Sequence, residues 1–330
     1  MYVGSDVSKS EIVCVGKDMQ GNVLYEDRFG VSHDEMDRMI ESVGYDSVFT
    51  VEASTKGVFV YDYLHSKDIH IKVANPSRMR LIAESGKKTD REDASIIADY
   101  LRTNMLPLCH MPNEDERKIR DMIRHRKNMV NIRTNIKNKM RAILSREGVE
   151  LPYTDILGVE SLSKIQDVEI KNDVQKEALD RLSRVAGVIN SEIEDYDIKI
   201  AEKFGASKEA QLLETIPGVG KYSAVHIMSA IGDIKRFPSD EELASYAGLT
   251  PKIFQSGETR VDKGIRHGDK LLNWILIQDA HAAVMRKGKL RKYYLKQKRK
   301  KGSQKAIVAV ARKMVEIMYC MLTRGETYRE

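Results

Sequence analysis

The chain has 330 residues, 42% of them hydrophobic, and its 55 Lys and Arg against 49 Asp and Glu leave a net charge of +6. That length allows two or three domains and that apolar content is enough for real cores. Three scattered cysteines, Cys14, Cys109 and Cys320, form neither a CxxC nor a metal-ligand spacing, which excludes a disulfide framework and points to a reducing compartment. The amino terminus lacks a basic segment followed by an apolar core, and the apolar stretch 306–322 is broken by Arg312, Lys313 and Glu316. No signal peptide or membrane span is therefore expected, and the expected location is the cytoplasm. The charge is unevenly spread: acids concentrate in the first hundred residues, while Lys and Arg dominate 117–146 and 286–305, the expected polyanion-binding stretches.

Residues 1–108 alternate strand and helix signals. Three short apolar runs, 2–7, 11–15 and 23–28, are separated by turn compositions and predict an antiparallel meander. A polar helix over 32–42 leads to a strand ending at Glu52, a helix over 57–66 leads to a strand over 69–73, and Pro76 starts a third helix. The order βββαβαβα is that of the ribonuclease H fold, in which the first and fourth strands lie side by side in parallel. Asp6, ending the first strand, would then neighbour Glu52.

The next helix opens with Lys87, Lys88, Thr89, Asp90, Arg91, Glu92 and Asp93. Thr89 or Asp90 can cap it, with Glu92 or Asp93 completing a capping box. Asp90 and Asp93 also lie one turn apart on one face, so both can reach a shared ion. Two ionised carboxylates in contact repel by roughly 4 kcal/mol at an effective dielectric of about 20. Four converging acids, Asp6, Glu52, Asp90 and Asp93, thus call for a divalent cation and suggest metal-dependent phosphodiester chemistry. Carboxylate oxygens suit Mg²⁺ and Mn²⁺ alike.

From 109 to 206 the pattern becomes long helices. One stripe comprises Ile119, Met122, Ile123, Val130, Ile136, Met140, Ile143 and Leu144; after a break at 148–158 a second comprises Val174, Leu182, Val185, Ile189, Ile193, Tyr196 and Ile200. Both stripes are expected to be core, pairing into an antiparallel arm, a linker or dimerisation element. Its Arg124, Arg126, Lys127, Arg133, Lys137, Lys139 and Arg141 either track a phosphate backbone or are solvated surface charge.

Residues 207–330 form a third, mainly helical part. Leu213-Glu214-Thr215-Ile216-Pro217-Gly218-Val219-Gly220-Lys221 reads as a helix end, a glycine turn and a new helix, similar to a helix-hairpin-helix. Gly218 and Gly220 permit positive φ and expose amides at a helix start, a geometry suited to phosphate, with Lys221 beside it; Gly-Val-Gly is also a common helix junction. The run 285–301, with Arg291, Lys292, Lys298 and Arg299, is intensely basic, and Tyr293 and Tyr294 are expected to offer rings for stacking on nucleic acid, unless the run is simply a solvated helix.

Considered alone, Ser256-Gly257 is a turn dipeptide. Within Gly248-Leu249-Thr250-Pro251-Lys252-Ile253-Phe254-Gln255-Ser256-Gly257, and together with the four acids, the Lys88–Ala94 segment and the glycine turn, the chain resembles the DEDD transposases of insertion-sequence family one-ten, also called bridge-RNA-guided recombinases, and the related Piv-type DNA invertases. The resemblance runs from Asp6 to the carboxyl-terminal helices. It implies a RuvC-like catalytic domain over 1–108, a coiled-coil linker over 109–206, and over 207–330 a transposase domain containing a serine. It further implies Mg²⁺ held by Asp6, Glu52, Asp90 and Asp93, and Ser256 as a nucleophile that attaches covalently to DNA, with Lys263 and Arg266 near phosphate. The implied partners are double-stranded DNA, a noncoding bridge RNA that pairs with target and donor, and further protomers, as a dimer that becomes a tetramer on DNA around a composite active site. One departure stands out: the family often has arginine at the position of Asn273 and a more basic residue at His267. The rival readings are a Mg²⁺-dependent junction resolvase or structure-specific nuclease with water as attacker, an invertase that needs no guide RNA, and a nucleic-acid-binding protein with a vestigial fold.

Overall fold

A computed structural model describes residues 1–79, 89–153, 155–250, 253–256, 259–262 and 268–329, with the segments between 253 and 262 described by backbone alone. The chain divides into two compact units, Met1–Met111 and Pro112–Glu330.

The first unit is the expected mixed α/β part. Its strands are β1 (Tyr2–Val7), β2 (Glu11–Lys17), β3 (Val23–Gly30), β4 (Val48–Glu52) and β5 (Ile71–Ala74); its helices are α1 (His33–Val43), α2 (Thr55–Ser66), α3 (Pro76–Met79) and α4 (Asp90–Arg102). The sheet order is β3-β2-β1-β4-β5, with β1–β2 and β2–β3 antiparallel and β1–β4 and β4–β5 parallel. Side chains alternate across the sheet. Val3, Phe49 and Val51 face one side and are buried with Met36, Met39 and Ile40 of α1 and Val60 and Leu64 of α2. On the other side Gly4 meets α4 so closely that a Cβ there would lie 2.0 Å from the Ala94 carbonyl oxygen and 2.5 Å from the Ala98 nitrogen. Two buried alanines and a glycine thus let a helix backbone rest directly on a strand.

The direction of α4 follows from its contacts. Lys17, level with Tyr2 at the start of β1, holds Asp99 at 2.6 Å, whereas Ala94 lies over Gly4, so α4 runs back against β1 and its first turn reaches the carboxyl end of that strand. Burial pushes the Asp99 carboxyl up, but Lys17 and Arg102 outweigh it and hold the group below the usual range.

The second unit is mostly helical. Two long helices, α5 (Glu114–Arg146) and α7 (Asp173–Ala206), flank the short α6 (Val159–Gln166). Asn113 and Glu116 form a reciprocal capping box at the start of α5. The long helices pack antiparallel: Arg126 near the start of α5 pairs with Asp197 near the end of α7, while Leu144 and Leu179 share a core at the opposite ends. The first apolar stripe packs inward as expected at Ile123, Ile136, Met140, Ile143 and Leu144. The second is corrected in part by the structure. Ile193 and Ile200 are buried and Leu182 and Ile189 pack on a core as expected, but Val174 and Val185 are exposed, at 71% and 48%, and the inward face of α7 comprises Leu179, Ser183, Ala186, Ile193 and Ile200. Four of these five recur every seven residues, a phase that leaves the two valines off the seam.

The rest of this unit comprises α8 (Lys208–Glu214), α9 (Lys221–Ile231), α10 (Asp240–Tyr246), the hairpin β6 (Ile253–Ser256) and β7 (Thr259–Asp262), α11 (Lys270–Met285), α12 (Lys289–Lys301) and α13 (Ser303–Arg324). One core joins α9, α10, α11 and α13 to Ile123 and Ile200 of the long helices. The last carbonyls of α9 are satisfied by arginines: Arg120 donates to Ser229 and Ala230, and Arg236 to Ala230 and Ile231. Among the described residues no helix is long and apolar enough to cross a membrane.

Candidate functional site

The register of the central strands places the first two acids. Gly4 lies level with Thr50 in the parallel β1–β4 pair, so two residues further on Asp6 is level with Glu52, on the same face of adjacent strands about 4.8 Å apart. That face is the one α4 covers. Gly57 helps fix the end of β4: a Cβ there would lie 2.0 Å from the Glu52 carbonyl oxygen, so the first turn of α2 sits against the strand end.

At α4 the cap is Thr89, whose hydroxyl accepts from the Glu92 amide at 3.2 Å. The N-cap is thus Thr89, and Asp90 and Asp93 stand in the first helical turn above the carboxyl end of β1. Asp6, Glu52 and Asp93 are half-buried and Asp90 is exposed. Four carboxylates from β1, β4 and α4 thus share one edge of the sheet. As a donor set they suit a hard divalent cation. Their side chains do not close on a single point, since among the described residues no group of three or more His, Cys, Asp or Glu is arranged to hold a metal ion.

Ser256 ends β6 and pairs with Thr259 across the hairpin. The base of this excursion is tightly built. The chain leaves after α10 at Gly248 (φ +66°) and returns at Gly268 (φ +134°), where a Cβ would lie 2.6 Å from the Gly248 nitrogen. Only glycine meets both demands, a positive φ and a backbone in contact. The Asp269 amide donates to the Tyr246 carbonyl, and its carboxylate caps α11 by accepting from Leu271 and Leu272. Asn273, where the resemblance expects arginine, donates both amide hydrogens, to the carbonyls of Ala247 and Gly248 at 3.0 Å each.

The cationic candidates fall into two groups. Several are engaged within the chain: Arg126 makes a two-pronged bond to Asp197 and stacks on Tyr222, Arg133 and Lys137 share Asp155, and Lys127 sits 3.7 Å from the Trp274 ring centre. Burial, with Arg126 alongside, holds the Lys127 ammonium below its usual value. Arg124 pairs with Asp121 one turn away. Lys221 lies over Phe204 yet stays exposed, as do Lys292, Lys298 and Arg299 on α12, while Arg291 bonds the Met285 carbonyl. No acid lies on α12. Its Tyr293 and Tyr294, expected to offer rings for stacking, are half-buried and pack against the core, giving the helix its apolar face. Lys87, Lys88, Lys263 and Arg266, with His267, lie outside the described residues.

The glycine turn has two different halves. Gly218 (φ +97°) is a packing glycine, since a Cβ would lie 2.4 Å from the Asp279 carbonyl oxygen and 2.6 Å from the Ala283 nitrogen. Gly220, by contrast, starts α9 in open space with no side-chain cap. Beneath the turn lies a group that sequence reasoning passed over. Asp279, buried within apolar α11, accepts from the Ser223 hydroxyl at 2.7 Å, and its second oxygen has no partner. Burial pushes its carboxyl up to about 7, with Ser223 opposing. One helical turn on from Ser223, His226 of α9 is also buried, and burial lowers it to about 4. The signal in both cases is an ionisable residue within a mostly apolar helical run.

Comparison with known proteins agrees with this layout. Residues 3–148 match the transposase family model called DEDD transposase of IS110, and residues 210–295 match that of the IS116/IS110/IS902 family transposases. The first match covers Asp6, Glu52, Asp90 and Asp93, and the second covers Ser256. The chain is 26% identical to the transposase for insertion sequence element IS1111A of Coxiella burnetii, over 99% of this chain and 91% of that protein. It is 23% identical to the transposase for IS1328 of Yersinia enterocolitica, over 99% and 98%. With the pilin gene-inverting protein of Moraxella bovis it shares 27% identity over 78% of this chain and 74% of the other. Paired acids at a sheet edge, a helical second unit and two family matches that together span most of the chain converge on one conclusion: the protein belongs to the IS116/IS110/IS902 family of transposases, enzymes of DNA recombination encoded by insertion sequences.

Proposed function

We propose that the chain cuts and rejoins the DNA of its insertion sequence through a phosphoserine intermediate, with Mg²⁺, or Mn²⁺ in its place, at the four acids. The observation that carries this reading is the β1–β4 register together with the course of α4, which gather Asp6, Glu52, Asp90 and Asp93 at one edge. The strand order supports assigning residues 1–108 to a RuvC-like ribonuclease H fold; in this reading a coiled-coil arm over 109–206 and a transposase domain with a helix-hairpin-helix over 207–330 follow. The acids would hold the cation, which neutralises phosphate charge and lowers the barrier to attack.

Ser256 then acts as nucleophile. Its hydroxyl loses its proton, the oxygen forms a bond to phosphorus, and the strand's own P–O bond breaks, with the departing oxygen protonated. Reversal onto another strand end rejoins the DNA without an external energy source, because the serine ester retains the phosphodiester's energy. Acids and serine lie in different units of the chain, so the reaction needs them to meet, and in this reading they do so between protomers of a dimer that assembles to a tetramer on DNA. A bridge RNA would select target and donor by base pairing, leaving the protein to read backbone and shape. The exposed cations of α12 are the strongest candidates for that backbone contact. The reaction takes place in the cytoplasm.

The test is a covalent-adduct assay. Protein co-expressed with the noncoding ends of its element is incubated with Mg²⁺ and labelled DNA carrying the joined ends, then run on a denaturing gel beside Ser256→Ala and Asp90→Ala. A metal-dependent shifted band, absent in both variants, is expected. Free cleaved product persisting in Ser256→Ala would instead identify a resolvase-type hydrolase using water. The similarity to pilin gene-inverting proteins favours one other reading, an invertase without a guide, which predicts that RNase treatment leaves the band intact.

A further inference from the structure

We infer that Asn273 is the positioning residue for the Ser256 hairpin, a clamp that rests on the reading of Ser256 as nucleophile. Three independent contacts close the base of the excursion from Gly248 to Gly268. Backbone approach is the first, with a Cβ on Gly268 lying 2.6 Å from the Gly248 nitrogen, 2.7 Å from its Cα and 2.9 Å from the Tyr246 carbonyl oxygen. The Asp269 amide bond to Tyr246 is the second. Third comes the Asn273 side chain, the only one among the described residues that donates to the Ala247 and Gly248 carbonyls.

The chemistry of that third contact is specific. An α-helix leaves its last carbonyls without intrahelical partners. Where the chain leaves α10, the carbonyls of its C-cap Ala247 and of the next residue, Gly248, both accept from the carboxamide of Asn273, a planar group with two hydrogens. The bond ties the end of α10 to the first turn of α11, whose buried Leu272, Ile275 and Leu276 anchor it in the core. Asn273 therefore transmits the rigidity of the core to the two points from which the hairpin springs. An attacking oxygen must sit within a few tenths of an ångström of its line of approach, and misplacement by about 1 Å costs on the order of 100-fold in rate. The pairing of two four-residue strands does not by itself secure that precision, whereas a pinned base does.

Asn273→Asp keeps size and shape but presents acceptors to two carbonyls, and Asn273→Ala removes the group without repulsion, so a fold lost to one variant is retained in the other. Both are measured as full-length protein in two ways. Adduct formation on the joined-end DNA is expected to slow about 10- to 100-fold at saturating DNA, with the DNA concentration for half-saturation unchanged within about twofold. Hydrogen exchange of the amides in 253–256 and 259–262 is expected to rise while α9 and α13 stay protected. An unchanged adduct rate, or exchange rising equally in α9 and α13, overturns the proposal, the latter because it signals a general loss of stability. Cleavage at the wild-type rate by Ser256→Ala would sink the serine reading by itself, and the exchange data would still decide whether Asn273 pins the hairpin.

Discussion

Replacing Asp279 by asparagine should stabilise the second unit at neutral and alkaline pH. The carboxyl is buried, has one partner in Ser223 and leaves its other oxygen without any, so ionisation places a charge in the core with only half of its hydrogen-bonding capacity met. Its folded value of about 7 lies above the ordinary 3.8, so the folded state holds the proton more tightly than the unfolded chain does. Stability from this group is thus fully present below about pH 4, falls through the interval from 3.8 to about 7, and is flat above it. The full loss corresponds to about 4 kcal/mol, which rearrangement and water entry reduce to about 2–4 kcal/mol. His226 works in the opposite sense. Its value is lowered from 6.5 to about 4, so its unfolded form binds more protons in that interval, and stability rises with pH across it. The two slopes largely cancel in the wild type. Asp279→Asn should therefore match the wild type near pH 4, exceed it by about 2–4 kcal/mol at about pH 8, and show the rising His226 limb between. Urea unfolding followed by the fluorescence of Trp274, the single tryptophan and on the same helix as Asp279, reads the right unit. A variant less stable than wild type at about pH 8 would refute the reasoning, because it would mean that the ionised carboxylate is a wanted partner rather than a stranded one.

Other outcomes follow from the same geometry. Gly4→Ala drives a methyl into the α4 backbone, 2.0 Å from the Ala94 oxygen, and should cost about 1–3 kcal/mol or more in urea unfolding while abolishing adduct formation by separating α4 from β1. Lys298→Ala and Arg299→Ala should each lower the slope of log affinity for DNA against log salt by about 1, as measured by titration at several ionic strengths, if each cation meets a phosphate. Arg126→Ala should leave that slope unchanged and instead lower stability by about 1–2 kcal/mol, because its guanidinium is committed to Asp197 and Tyr222. Finding the reverse, with Arg126 setting the slope and α12 silent, would move the nucleic-acid surface to the long helices.

Much of the first unit was legible in the chain, and the reason is periodicity. Alternation of apolar residues in short runs, punctuated by turn residues, predicts five strands, and the ribonuclease H arrangement that their succession resembles predicts β1 beside β4 and hence Asp6 beside Glu52. The Thr89 cap was one of two options in the sequence, and the structure decides between Thr89 and Asp90 because only one residue can take the extended cap conformation. What was not legible depends on contacts between distant positions. Nothing local marks Gly4 as the seat of α4, or Arg126 as the partner of a residue on α7. The phase of α7 was misjudged at Val174 and Val185, since a β-branched apolar residue satisfies a stripe pattern whether or not a partner helix lies opposite. The packing of Tyr293 and Tyr294 was hidden for a related reason: in a run so rich in lysine, no periodic apolar stripe marks the few large rings that the core can use. The clamp by Asn273 was visible only as a departure from an expected arginine, and its purpose appears once the two carbonyls are located.

The edge that gathers the acids has a consequence for the life of the chain during synthesis. Asp6 emerges first, Glu52 must wait for the crossover through α1, and Asp90 and Asp93 arrive only with α4, which cannot seat on Gly4 until the sheet exists. Ser256 comes later still, in a hairpin whose base closes only when α11 has been made. A ribosome stalled partway, or a product clipped between the units, would therefore release a piece with either acids or serine but never both. In the proposed reaction such a fragment could not by itself nick or hold its own host's chromosome, so a lone partial product carries no strand-cutting danger.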